Sequence, residues 1–212
     1  MLCALPLRCP LRRGWRNDGF KTGQVSENLS GLLEVFMKGI ITVFGSSRPL
    51  PDSAAYDEAL TVGRLLAEAG YGVATGGYMG TMEAVSRGAA EAGGHVIGVT
   101  SGQIETFRPI PPNQWVKEEI RKELLRDRVA HLVMQNEGMI VLPGGIGTLS
   151  EMALAWSLMQ VGDIPVRPLV LYGSTWRATL TAFFDADYIR AQDYSLLQFA
   201  DTPETAVALA TR

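Results

Sequence analysis

The chain has 212 residues, 47% of them hydrophobic and 19% charged, with a formal net charge of -3. That length and balance suit one α/β domain with a sizeable core. A slightly acidic chain lacks the basic stripe of a nucleic-acid surface, and no apolar run is long enough to cross a bilayer. Cys3 and Cys9, the only cysteines, fall in the N-terminal tail and cannot staple a domain, which points to a reducing cytoplasm. His95 and His131 have no Cys or acidic partners at ligand spacing, so neither a metal nor a cofactor is expected.

Residues 1–37 read as a non-native or over-extended, poorly ordered start: Pro6, Arg8 and Pro10 interrupt any signal-peptide core. Gly31 to Phe36 could form a stray helical turn. Met37 then opens a run that enters a first strand, and residues 38–212 read as one domain.

Strand and helix alternate from there. Ile40 to Phe44 is a buried-type strand ending in Gly45-Ser46-Ser47. Ser53 to Ala69 has helical apolar spacing and stops at Gly70. Gly72 to Thr75 predicts a strand, Thr81 to Ala92 a helix and His95 to Val99 a strand. Ser101 to Gln114, with Pro109, Pro111 and Pro112, reads as loop, and Val116 to Gln135 as one long helix. Gly138 to Leu142 is a fourth strand and Leu149 to Val161 a helix. Arg167 to Tyr172 is a fifth strand, Thr175 to Ile189 a helix, Leu196 to Phe199 a short strand and Pro203 to Ala210 a last helix. This alternation predicts a Rossmann-like, doubly wound, mainly parallel α/β sheet with helices on both faces. Its ligand site should lie where strand order reverses, between the loops after Phe44 and Leu142.

The second of those loops carries the chemistry. Pro143-Gly144-Gly145-Ile146-Gly147-Thr148 joins a strand to a helix, so its N–H groups meet the positive end of a helix dipole, an arrangement that holds a phosphate. Gly144, Gly145 and Gly147 permit close approach, and the Thr148 hydroxyl adds a donor. No Lys-Ser/Thr follows, so this is not a P-loop, and Ser150 stands where a dinucleotide fingerprint needs its third glycine. Glu151, one turn into the helix, does not help to hold an anion. It is either a favourable charge near the dipole or a group that does chemistry. Arg128, on the helix before the fourth strand, could reach it. Gly76-Gly77-Tyr78-Met79-Gly80 is a second glycine turn, serving either the ligand or the chain reversal.

Pro143 to Glu151 resembles the PGGxGTxxE signature of the Lonely Guy family, whose members are also labelled lysine decarboxylase-like. Gly45-Ser46-Ser47, the Gly76-Gly77 turn with Met82, and Arg128 fall where that family has counterparts. The resemblance implies a Rossmann-like homodimer or larger oligomer. It also implies hydrolysis of the N-glycosidic bond of a nucleoside 5′-monophosphate, a cytokinin riboside 5′-monophosphate or AMP, to free base and ribose 5-phosphate. It assigns Glu151 and Arg128 to catalysis and Ser46, Gly76, Gly77, Met82, Gly144, Gly145, Gly147 and Thr148 to the nucleotide. Val129 replaces the lysine that usually follows the family's arginine, and Gly80-Thr81-Met82-Glu83 replaces Gly-Leu-Met-Gly. Those departures keep open a non-catalytic nucleotide binder or molybdenum-cofactor carrier. Pyridoxal-type decarboxylation needs a Schiff-base lysine, and Lys21, Lys38, Lys117 and Lys122 are the only candidates.

Overall fold

The computed structural model describes residues 37–212. The expectations for the preceding tail, its two cysteines and the turn at Gly31 to Phe36 lie outside the described residues.

Seven strands form one parallel sheet: β1 (Ile40–Phe44), β2 (Gly72–Thr75), β3 (Val96–Ser101), β4 (Glu118–Lys122), β5 (Gly138–Val141), β6 (Leu169–Tyr172) and β7 (Leu197–Ala200). Their order is β4-β3-β2-β1-β5-β6-β7. Winding runs outward from β1 to β4, then restarts at β5 on the other side of β1. β1 and β5 are therefore the switch point, paired from Ile41↔Gly138 to Phe44↔Val141. Among the described residues the eight helices are α1 (Ala54–Glu68), α2 (Thr81–Glu91), α3 (Gly102–Phe107), α4 (Leu125–Met134), α5 (Ile146–Val161), α6 (Ser174–Phe183), α7 (Ala191–Tyr194) and α8 (Pro203–Ala210).

The period-2 alternation of the strands splits the core in two. Ile41, Val43, Ile140, Val170 and Tyr172 face α1, α2 and α8. Phe44, Met139, Val141, Leu169 and Leu171 pack with residues of α4, α5 and α6 on the opposite face. Both faces are covered, which is why the central strands read as continuous Val/Ile/Leu runs. Among the described residues, no helix is long and apolar enough to cross a membrane.

The helix expected over residues 116–135 is instead two elements. Glu118–Lys122 pairs along the open edge of β3, from Ile97↔Glu118 to Ser101↔Lys122. The helix begins at Leu125. Glu, Arg and Lys favour a helix locally, but the unpaired N–H and C=O groups of β3 offer a ladder that outweighs propensity. Charges on an outermost strand also deter pairing with other chains. The loop expected from Ser101 to Gln114 contains α3, and the helix expected to reach Ile189 stops at Phe183.

α1 and α2 approach backbone to backbone through two glycines. A Cβ on Gly63 would stand 2.1 Å from the Val85 carbonyl oxygen, and one on Gly88 2.0 Å from that of Leu60. Gly63→Ala gains roughly 1 kcal/mol in helix propensity, but overpacking against fixed backbone costs about 1–3 kcal/mol. The expected net result is a thermal unfolding midpoint lowered by several degrees; an unchanged or raised midpoint contradicts this packing.

Candidate active site

A cleft of about 1210 Å³ opens at the carboxyl ends of β1, β2 and β5. Sheet topology brings three small-residue loops to it, as the reversal of strand order predicts.

The loops are tied together by two threonines. Thr148, buried in the first turn of α5, donates its hydroxyl to the Gly45 carbonyl at 3.0 Å. Thr81, at the start of α2, donates its backbone N–H (2.9 Å) and its hydroxyl (3.1 Å) to the Ser46 carbonyl. The Thr148 hydroxyl expected on a phosphate is therefore committed to joining the β1 and β5 loops. Ser46 lines the cleft, its Oγ accepting from the Arg48 N–H at 3.1 Å.

Glycine serves two different purposes here. Some glycines make room for protein: a Cβ on Gly144 would lie 2.1 Å from Thr148 Oγ1, one on Gly45 2.1 Å from Thr81 Oγ1, and one on Gly76 1.9 Å from Arg128 Nη2. At Gly145 and Gly147 a Cβ would meet nothing within 4 Å, and neither residue has positive φ. Nothing inside the described chain requires glycine at these two positions, and both face the cleft. The N–H groups of Ile146, Gly147 and Thr148, in the first turn of α5, have no intrahelical acceptors, and no N-cap side chain accepts from them. The result is a helix N-terminus open to the cleft, an arrangement able to take an anion.

Gly76 and Met82 line the same cleft; Gly77 does not. With φ at +77°, Gly77 turns the chain and packs against Gly98, and its carbonyl accepts from the Asn113 backbone N–H (2.8 Å) and Nδ2 (3.0 Å). Sequence reasoning passed over Asn113, whose signal is a lone amide in a proline-rich loop.

Glu151 and Arg128 meet as an ion pair, Nη1 to Oε1 at 3.5 Å, with both side chains almost out of solvent. Arg128 also donates Nε–H to the Val99 carbonyl at 2.7 Å, and its guanidinium lies 5.8 Å from the centre of the Tyr78 ring. Burial raises Glu151 to about 7, with Arg128 opposing the rise. Burial likewise lowers Arg128, with Glu151 opposing the fall. Desolvation outweighs attraction for both partners. Burial thus moves Glu151 toward neutrality, the direction in which a carboxyl becomes able to exchange protons.

Val129, on α4, packs against the core on that face and lines the cleft with Ile104, Phe107 and Leu125. Among the described residues no lysine lines the cleft; Lys117 Nζ donates to the Gly94 carbonyl instead. Nor do any three or more His, Cys, Asp or Glu among them cluster as a metal site.

The elevated Glu151 value has a sign for stability. The folded state holds the proton more tightly than the unfolded state, where the carboxyl has its ordinary value near 4.5. Its contribution is full below that value and is lost as pH rises through about 7. Glu151→Gln removes this dependence, while Arg128 stays charged throughout. Between pH 4 and pH 8 the Gln variant should gain up to about 3 kcal/mol relative to the parent. Urea unfolding at the two pH values measures the gain; no change in the difference means the carboxyl is not desolvated.

The family described as possible lysine decarboxylase matches residues 82–210. A probable cytokinin riboside 5′-monophosphate phosphoribohydrolase of Oryza sativa subsp. japonica is 31% identical over 152 residues, 68% of this chain and 58% of that protein. The chain thus spans little more than half the length of that relative. A cytokinin riboside 5′-monophosphate phosphoribohydrolase of Arabidopsis thaliana is 31% identical over 154 residues, covering 69% of this chain and 68% of that one. The solved molybdenum cofactor binding protein of Rippkaea orientalis superposes with a TM-score of 0.64 at 26% identity, covering 82% of this chain and 96% of that one.

Proposed function

Because the chain belongs to the family described as possible lysine decarboxylase, which includes the Lonely Guy proteins, we propose that its cleft hydrolyses the N-glycosidic bond of a nucleoside 5′-monophosphate. The observation that carries this reading is the buried Arg128–Glu151 pair one helical turn from an exposed anion cradle. A cradle alone would suit any phosphate binder. A desolvated carboxyl on the same helix face as Gly147 and Thr148 favours a ligand that reacts beside its phosphate.

The N–H groups of Ile146, Gly147 and Thr148 hold the 5′-phosphate. The ribose then lies toward Glu151. As the C1′–N bond breaks, its electron pair leaves with the base and positive charge builds at C1′. The Glu151 carboxylate stabilises that charge and takes a proton from the attacking water, whose oxygen bonds to C1′. A second proton, drawn from solvent, neutralises the base. Arg128 orients Glu151 and holds its ionised form. The apolar wall of Ile104, Phe107, Leu125 and Val129 supports a base with an apolar substituent, as in a cytokinin. The protein works in the cytoplasm as a homodimer or larger oligomer; exposed Leu149 and Val161 on α5 suit a self-contact.

The likeness to a molybdenum cofactor binding protein favours a second reading, a carrier without turnover. The space left open at Gly145 and Gly147 fits the phosphate of such a cofactor equally well, held by the same N–H groups. Turnover separates the two readings.

Purified protein should release free base from AMP or cytokinin ribotides, followed by chromatography. Glu151→Gln and Arg128→Ala should each slow release by about a hundredfold or more. Thermal stabilisation by nucleotides or the molybdenum cofactor with no release from any nucleoside monophosphate assigns the carrier role. Gly147→Ala gives an independent test of the cradle. It meets no protein atom, so the unfolding midpoint should hold while KM rises at least tenfold. A midpoint that falls together with activity would make Gly147 a structural residue instead.

A further inference from the structure

We propose that Tyr78 is the positioning residue that fixes the Arg128 guanidinium against Glu151. The inference rests on the reading of Arg128 and Glu151 as the working pair.

The guanidinium is held from three directions. Nε is bonded to the Val99 carbonyl within β3. Nη2 fills the space where Gly76 has no side chain, in the turn after β2. Nη1 points at Glu151 on α5. The carbonyl and the missing side chain limit where the group can sit, but one hydrogen bond leaves it free to swing about Nε. The Tyr78 ring closes that freedom, standing 5.8 Å from Cζ with its own side chain buried. A guanidinium over an aromatic face is attracted by the ring quadrupole, more strongly when both are out of water. The pair separation of 3.5 Å is longer than a strong charge-assisted hydrogen bond, so Glu151 alone does not clamp the arginine.

Tyr78 is itself fixed at its far end. Its hydroxyl oxygen accepts the Ser101 N–H at 2.9 Å. Its proton has two acceptors at 3.4 Å, the Ser101 carbonyl and the Glu105 carboxylate on α3. Glu105 is in turn paired with Arg121 on β4. No residue of α3 is buried, and the helix supplies Ile104 and Phe107 to the mouth of the cleft. Tyr78 therefore spans from Ser101 and α3 to the Arg128–Glu151 pair, with its ring facing Arg128 and its hydroxyl bonded to Ser101 and Glu105. The charged group facing Glu151 is Arg128 from α4; the titratable groups facing Arg128 are Glu151 from α5 and Tyr78 from the β2 turn.

The test reads the carboxyl directly and needs no ligand. The full chain is labelled with 13C at glutamate carboxyls, the Glu151 signal is assigned by its loss in Glu151→Gln, and its titration is followed by NMR. Tyr78→Phe keeps the ring and should keep the midpoint. Tyr78→Leu removes the ring, lets Arg128 move away and should raise the midpoint by about one pH unit, the scale on which a neighbouring opposite charge acts. Fluorinated phenylalanines at position 78 preserve shape and fold while draining the ring face, and should raise the midpoint stepwise with fluorine number. A midpoint that Tyr78→Leu and the fluorinated series leave unmoved overturns the proposal. So does a phenylalanine variant that moves it as far as leucine, because the effect then belongs to the hydroxyl. In base release, leucine should lower kcat about tenfold relative to phenylalanine with KM unchanged, the pattern of a group that acts only in the transition state. Absence of release from the parent protein, with the midpoints behaving as described, rejects the hydrolase reading and leaves the positioning role standing.

Discussion

Taking a guanidinium and a carboxylate out of water together costs several kcal/mol per ion, and their attraction repays that only in favourable geometry. Arg128 and Glu151 are held at 3.5 Å with little solvent on either. The surroundings meet part of the cost through the Val99 carbonyl and the Tyr78 ring, and leave the rest in the carboxyl, which rises to about 7. Much of the local architecture follows from this pair. The turn after β2 carries glycine at Gly76 because an arginine nitrogen occupies that space. β3 turns a carbonyl to the guanidinium. α5 starts where its second turn can carry the glutamate to the same point.

The switch point of the sheet makes this convergence possible. β1 and β5 are neighbours in space but far apart in the chain, so their loops diverge to opposite faces and leave a crevice. Thr81 and Thr148 reach from α2 and α5 to the β1 loop and hold it by its own carbonyls. The loops are thus fixed by hydrogen bonds to backbone, while the space between them stays open. The space beside Gly45, Gly76 and Gly144 is filled by protein, and that beside Gly145 and Gly147 by nothing in the described chain. That contrast separates glycine needed for packing from glycine available to a guest.

Local signals failed where long-range pairing competed with them. Glu118 to Lys122 looks helical because its residues favour helices, yet the open edge of β3 takes it as a strand. The hydroxyl of Thr148 looked like a ligand donor because its motif places it at the anion site, yet the nearest acceptor is the Gly45 carbonyl, more than a hundred residues earlier. Gly77 looked like its neighbour Gly76, and only its positive φ and its contact with Gly98 set it behind the cleft wall. Each of these outcomes depends on an atom distant in sequence. The placement of β1, β2, β5 and β6 was legible for the opposite reason: strands buried on both faces must be continuously apolar, and glycine turns bound them.

By itself the sequence determined the α/β alternation and the glycine turn before Glu151, because hydrophobic period and backbone permissiveness are local properties; the reversal of strand order followed only from the fold class and was decided by the pairing of β1 with β5. It also marked Glu151 as an odd charge in an anion site. Only the tertiary structure decided that this carboxyl is buried against Arg128, that Tyr78 and Val99 hold the arginine, and that Gly145 and Gly147 face open space. Desolvation, cation–π geometry and steric clearance depend on where segments distant in the chain come to rest, and no pattern along the chain encodes those distances.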